Sequence, residues 1–185
     1  IVTQIEEDKG MRNEGILKYD INNLLILPGR LVSQWIFELN KYIKDISKFN
    51  IVKLGTLTDV KALDKKLAAG KIKLQEIDIL IVCPNLLNNE KYEALIKEHR
   101  KKYTTSDDRY KFIDILSTKF NRIIVDEIHE ITIPNQPYGD NQCNYLFAKA
   151  NKSLRKKENK LLEICNTRLQ SNFKWCLTAT PFNYG

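Results

Sequence analysis

Apolar and polar positions along this chain fall into blocks that predict strands separated by helices. The apolar blocks stop at prolines, glycines or charged residues, and they cover residues 24–27, 51–55, 77–83, 123–125 and 174–178. In the fourth block the β-branched residues Ile123, Ile124 and Val125 are consecutive. A run without alternation is typical of a strand that is buried on both faces of a parallel sheet.

Between these blocks, apolar residues recur every three or four positions, which predicts helices. The spacing is clearest over residues 31–48, where Ser33 caps the helix or lies in its first turn. Residues 1–20 are predicted to be the end of a helix and a loop. Further helices are predicted over 58–69, from a cap at Asn85 to Lys102, over 110–119, and as a long basic region over 145–170.

Strands that alternate with helices predict an α/β fold, with a mainly parallel sheet covered by helices on both faces. The 185 residues are enough for one domain. Right-handed crossovers bring the carboxyl ends of the strands to one edge, where open α/β sheets bind ligands. Four polar or turn-forming segments follow predicted strands: Pro28-Gly29-Arg30, Pro84-Asn85, Asp126-Glu127 and Thr178-Ala179-Thr180.

The acidic pair Asp126-Glu127 is the strongest candidate for chemistry. One carboxylate can hold Mg²⁺, directly or through water, as nucleotide sites do with one or two carboxylates plus phosphate oxygens. The other can orient the water that attacks a terminal phosphoryl group. His129 can pass the state of the nucleotide to another element through a hydrogen bond. The alternative is an Asp-Glu pair that merely caps a strand-to-helix turn.

The charge of the chain favours a polyanionic partner. Thirty basic and twenty-three acidic residues give a formal net charge of +7. A solvated, lysine-rich surface is the alternative explanation.

The four cysteines favour reduced thiols over a metal site. They are far apart, form no C-x-x-C pair and are accompanied by only two histidines, so a zinc site is not expected. No signal-peptide pattern follows the first residue, and no apolar run is long enough for a membrane span. We therefore expect an intracellular protein, in the nucleus or the cytoplasm.

Four segments resemble motifs of one protein family. Residues 24–28 followed by Ser33-Gln34-Trp35 resemble motif Ia of superfamily 2 helicases and translocases, in the Swi/Snf-like branch. Residues 78–87 are similar to the segment around motif Ib. Asp126-Glu-Ile-His129 resembles the DExH box of motif II, and residues 174–182 resemble motif III. The motifs occur in the family's order, and the resemblance extends from about residue 22 to the end.

The resemblance implies a first RecA-like lobe, which is a three-layer αβα sandwich, and it implies ATP and Mg²⁺ as cofactors. By this resemblance Asp126 engages Mg²⁺ and Glu127 polarises the attacking water. The residues that would couple hydrolysis to movement are His129, Thr178, Ala179 and Thr180.

The same resemblance implies nucleic acid as a partner, with duplex DNA favoured over RNA, and a second RecA-like lobe. The residues that would face the phosphate backbone are Arg30, Ser33, Gln34 and Asn85. The alternative for Gln34 is a plain helix-surface amide. Trp35 lies on the apolar face of its predicted helix, so we expect it in the core and not as a base-stacking platform.

The chain also departs from the family. It contains no G-x-x-x-x-G-K-[ST] loop, which the family places just upstream of the equivalent of Ile1, and Ile128 stands where a small residue is usual. We therefore expect an N-terminally truncated lobe that hydrolyses little ATP by itself. The alternative is a RecA-like module that binds nucleic acid or serves as a scaffold without hydrolysis.

Overall fold

The computed structural model describes residues 1–15, 19–105, 110–127, 161 and 163–177. Five parallel strands form one sheet in the order β2-β3-β1-β4-β5. The strands are β1 Ile21–Ile26, β2 Ile51–Leu54, β3 Ile79–Val82, β4 Lys119–Val125 and β5 Gln170–Cys176.

Helices lie on both faces of this sheet. On one face, Ile5 of the first helix and Leu39 of the second pack with Leu25 of β1. On the other face, Val60 and Ile96 of two later helices pack with Leu24. Successive residues of a strand point to opposite faces, so β1 serves both cores. The helices are α1 Val2–Asn13, α2 Val32–Tyr42, α3 Leu57–Ala68, α4 Pro84–Leu87 and α5 Glu90–Lys102.

The predicted α/β fold is confirmed, with a sheet whose strands are all parallel and helical layers on both sides. This architecture is consistent with a RecA-like three-layer sandwich. Within the described ranges, no helix has the length and apolarity needed to cross a membrane.

Two predicted helix boundaries are wrong. The helix predicted over 31–48 ends at Tyr42, because Ile43 is extended and is buried in the core instead of continuing the helix. The helix predicted from Asn85 is divided into α4 and α5. The cap of α5 is Asn89, whose side chain accepts a hydrogen bond from the Lys91 N–H at 2.9 Å.

The short helix predicted over residues 110–119 is not formed. Asp64 Oδ1 accepts the Ile113 N–H at 2.8 Å, and the Tyr92 hydroxyl accepts the Ile115 N–H at 3.1 Å. Because side chains of α3 and α5 satisfy these buried backbone donors, the segment needs no helical hydrogen bonds of its own.

All five strands end at the same level. Ile26 is in register with Val82 on one side and with Val125 on the other. Leu54 pairs with Val82 at one end of the sheet, and Cys176 pairs with Val125 at the other. The segments that follow the strands therefore share one edge, which we call the carboxyl rim.

Candidate functional site

Asp126 is the first residue beyond β4 on the carboxyl rim. Its N–H donates to the Ile26 carbonyl at 2.9 Å, so the sheet ladder continues up to this residue. On the other side the Leu177 N–H donates to the Val125 carbonyl at 2.8 Å. The acidic pair thus lies at the middle of the rim, between the ends of β1 and β5.

Two N–H donors hold the Asp126 carboxylate. The indole Nε1–H of Trp35 in α2 donates to Oδ2 at 2.6 Å, and the Glu127 backbone N–H donates to Oδ1 at 2.8 Å. Hydrogen bonds to an ionised group are stronger than those between neutral groups. This half-buried carboxylate is therefore oriented by one donor from α2 and one from the next residue along the chain.

Glu127 has a left-handed backbone, with φ of +53°. Among the described residues it is the only non-glycine residue with a positive φ. The left-handed conformation costs an L-residue about 1–2 kcal/mol because its Cβ approaches the carbonyl oxygen. The chain bends at Asp126 and Glu127, directly after the end of β4.

The segments that follow β1, β2 and β3 lie close together around Cys83. A Cβ at Gly29 would lie 3.7 Å from Cys83 Sγ, and a Cβ at Gly55 would lie 3.8 Å from the same sulfur. Burial raises the pKa of the Cys83 thiol, and the negative charge of Asp59 raises it further. The thiol therefore stays protonated, which argues against a nucleophilic role.

The residues predicted to face a phosphate backbone are all exposed. Ser33 and Gln34 lie in the first turn of α2, and Arg30 lies in the short 3₁₀ turn Gly29–Leu31 that precedes it. Asn85 lies in α4, directly after the Cys83 segment that contacts Gly29. The structure therefore places these four side chains on two adjacent segments of the rim.

The residues predicted to couple hydrolysis to movement, His129, Thr178, Ala179 and Thr180, lie outside the described residues. Leu177, which directly precedes Thr178, lies at the same rim as Asp126.

The acidic pair fits a magnesium–nucleotide site by its donor chemistry. In the part of the chain that the structure describes, no three His, Cys, Asp or Glu side chains form a cluster that could hold a metal alone. Mg²⁺ in nucleotide sites needs only one or two carboxylates, with phosphate and water oxygens as its other ligands. Each Asp126 oxygen accepts one N–H and retains a further lone pair for such a ligand.

The hydrogen bond from Trp35 to Asp126 was not predicted from the sequence. Trp35 was expected in the core. Its ring is half-buried and packs against the cluster that contains Leu39 and Ile124. The indole N–H remains to be satisfied even when the ring is buried, and that requirement was the available signal. Finding its partner needed the strand order, which places β1 and α2 beside β4.

Comparisons with known proteins assign no family. No protein-family model matches the chain, and a search of curated proteins finds no similar sequence.

Proposed function

We propose that this chain is part of an ATP-dependent DNA translocase motor of the Swi/Snf-like kind, which couples ATP hydrolysis to movement on nucleic acid. One observation carries the proposal. Asp126 and Glu127 lie at the carboxyl end of a central parallel strand, with the Asp126 carboxylate oriented by Trp35 and Glu127. Parallel α/β sheets bind nucleotides at this edge.

The two acids have different roles in this proposal. Asp126, held by two N–H donors, presents its remaining lone pairs to Mg²⁺ or to water bound to Mg²⁺. Glu127, the next residue along the chain, orients and polarises the attacking water. Bound Mg²⁺ supplies neutralisation of the charge on the phosphate oxygens.

The exposed polar segments of the rim provide the nucleic-acid face. Arg30, Ser33, Gln34 and Asn85 can donate to phosphate oxygens, and such contacts carry no sequence information. The net charge of +7 favours the same polyanionic partner. A motor that steps along any sequence requires binding of this sequence-independent, salt-dependent type.

Hydrolysis is proposed for an assembly larger than these residues. The 185-residue sequence has no phosphate-cradling G-x-x-x-x-G-K-[ST] loop. A second RecA-like lobe would add the arginine that stabilises the transition state. We expect the chain alone to bind nucleic acid but to hydrolyse little ATP.

The test is ATP hydrolysis by a polypeptide in which the lysine loop precedes this chain and a second lobe follows it. Duplex DNA should stimulate the wild type, and Glu127→Gln should abolish turnover while ATP still binds. Glu98→Gln, on the exposed surface of α5, is the matched control and should leave turnover unchanged. Normal turnover in Glu127→Gln would reject the proposal. Stronger stimulation by RNA than by duplex DNA would instead indicate an RNA helicase.

The second candidate is a RecA-like module that binds nucleic acid or serves as a scaffold without hydrolysis. The net charge of +7 favours it. Duplex binding that is unaffected by Glu127→Gln, together with no hydrolysis in the extended polypeptide, would select this function.

A further inference from the structure

Three consecutive residues of α2 face two different parts of the rim. Ser33 and Gln34 are exposed, whereas Trp35 is half-buried and donates its indole N–H to Asp126 Oδ2 at 2.6 Å. Neighbouring residues in a helix differ by about 100° in direction, which allows one helical turn to contact both solvent and the acidic pair. The candidate nucleic-acid face is therefore one residue away from a direct contact with the candidate magnesium ligand.

The indole is well suited to transmit the position of α2. Its Nε1–H can only donate, so it recognises the carboxylate oxygen and cannot exchange roles with it. Its ring packs against the cluster that contains Leu39 and Ile124, which prevents the side chain from following Asp126 independently of the helix. A shift of α2 therefore moves the donor, while the Glu127 N–H continues to hold the other oxygen.

We propose that Trp35 is a positioning residue that couples nucleic-acid binding to the orientation of Asp126. A polyanionic strand bound at Ser33 and Gln34 fixes the first turn of α2, and the indole N–H then fixes the carboxylate for the metal. This inference rests on the proposed function, because it requires nucleic acid at α2 and a divalent cation at Asp126. Coupling of this kind is reciprocal, so the cation must also strengthen nucleic-acid binding.

The first test observes the indole N–H directly. The chain has two tryptophans, and ¹⁵N NMR gives one indole signal for each. Asp126→Asn should shift the signal of Trp35 and leave that of Trp175, which lies on β5 against Arg122. A DNA duplex should then shift the Trp35 signal at the same concentrations that shift the backbone amides of Ser33 and Gln34.

This titration separates the inference from the function on which it depends. If the duplex shifts the amides of Ser33 and Gln34 but not the Trp35 indole, the coupling role is overturned and nucleic-acid binding at α2 stands. If the duplex shifts neither, both the coupling and the nucleic-acid face are overturned.

The second test measures the coupling as a change in metal affinity. Mn²⁺ is a paramagnetic substitute for Mg²⁺, and its binding at Asp126 is followed by broadening of the nearby amide signals. In the wild type, duplex DNA should tighten Mn²⁺ binding at least about fivefold, the lower end of typical couplings. Trp35→Phe keeps a ring but removes the donor, so duplex DNA should leave its Mn²⁺ affinity unchanged.

The control is Trp175→Phe, which should retain the full effect of the duplex on Mn²⁺ affinity. A purely structural role for Trp35 would lower stability in Trp35→Phe but preserve the duplex effect, and that result would overturn the inference. If Trp35→Phe does not fold, the duplex titration of the Trp35 indole still decides, because it uses the wild-type chain. An unshifted Trp35 indole in Asp126→Asn would show that the hydrogen bond is not formed in solution.

Discussion

Arg122 of β4 donates two hydrogen bonds to the carboxylate of Asp8 in α1, at 3.0 Å from Nε and 3.2 Å from Nη2. The Asp8 side chain is 1% exposed and that of Arg122 is 4% exposed. The guanidinium also lies 4.2 Å from the ring centroid of Trp175 and 4.9 Å from that of Phe173. One buried ion pair therefore ties the first helix to the middle of the sheet and to β5.

Removing one partner of this pair should destabilise the protein strongly. Asp8→Ala leaves the Arg122 charge buried without its counter-ion, which typically costs about 3–5 kcal/mol of unfolding free energy. Urea denaturation followed by circular dichroism measures the loss. The double variant Asp8→Leu/Arg122→Met should recover most of it, because it removes both buried charges. Equal losses in the single and double variants would contradict this account.

Asp64 should make stability depend on pH. The Asp64 side chain is buried, and burial raises its pKa above the ordinary 3.8, although the Ile113 N–H and then His99 partly oppose the shift. The folded state therefore holds this proton more tightly than the unfolded state. The ionised carboxylate costs stability at neutral pH, and that cost disappears as the pH falls through the raised pKa and below 3.8.

Asp64→Asn keeps an acceptor for the Ile113 N–H but carries no charge. It should be more stable than the wild type at neutral pH, and the advantage should vanish in acid. Asp45 is the matched control, since hydrogen bonds from Ser47 and then Lys48 lower its pKa. Asp45→Asn should therefore be less stable than the wild type at neutral pH, and this difference should also vanish in acid. Urea midpoints across the pH range measure both, and a pH-independent gain in Asp64→Asn would refute the prediction.

The left-handed backbone of Glu127 should make glycine preferable to alanine there. Both Glu127→Gly and Glu127→Ala remove the carboxylate, but only glycine adopts φ of +53° without strain. We expect the glycine variant to be more stable by about 1 kcal/mol. At Glu98, within α5, the order should reverse, because glycine is a poorer helix former than alanine by about 1 kcal/mol. The same order at both positions would argue against strain at Glu127.

Arg30 should contribute one phosphate contact to nucleic-acid binding. Fluorescence anisotropy of a labelled duplex at several salt concentrations gives the slope of log affinity against log salt. Arg30→Ala should reduce this slope by about 0.9, as expected for one contact with B-DNA. Lys66→Ala removes an exposed charge from the last turn of α3, at the opposite edge of the sheet, and should leave the slope unchanged. Equal slopes for the wild type and Arg30→Ala would remove Arg30 from the interface.

Local pattern predicted most of the elements of this fold. Each of the five apolar blocks overlaps a strand, and the helix predicted over 58–69 is α3, which begins with a capping box between Thr56 and Asp59. The helix predicted over 110–119 was wrong because the partners of its backbone, Asp64 and Tyr92, are distant in sequence. The conformation of such a segment is determined by side chains of other elements, and the local spacing of apolar residues carries no information about those side chains.

The candidate site was predictable only in part. The apolar run before Asp126 indicated a strand end, and the breakers at Pro28 and Pro84 indicated the other segments of the rim. The strand order was not available from the sequence, since no local signal places β1 between β3 and β4. The contact between Trp35 and Asp126 depends on that order. The functional roles of these residues stay predictions until the experiments above are done.

The order of the strands has a consequence for how this protein folds. Every ladder joins segments that are far apart in the chain. Strand β1 pairs with both β3 and β4, since Leu24 is in register with Leu80 of β3 and with Ile123 of β4. Such non-local pairing loses loop-closure entropy before any stabilising contact forms, and folding is therefore slow. During synthesis β1 therefore emerges before both of its neighbours, and its two edges cannot both be paired until β4, which ends at Val125, has left the ribosome.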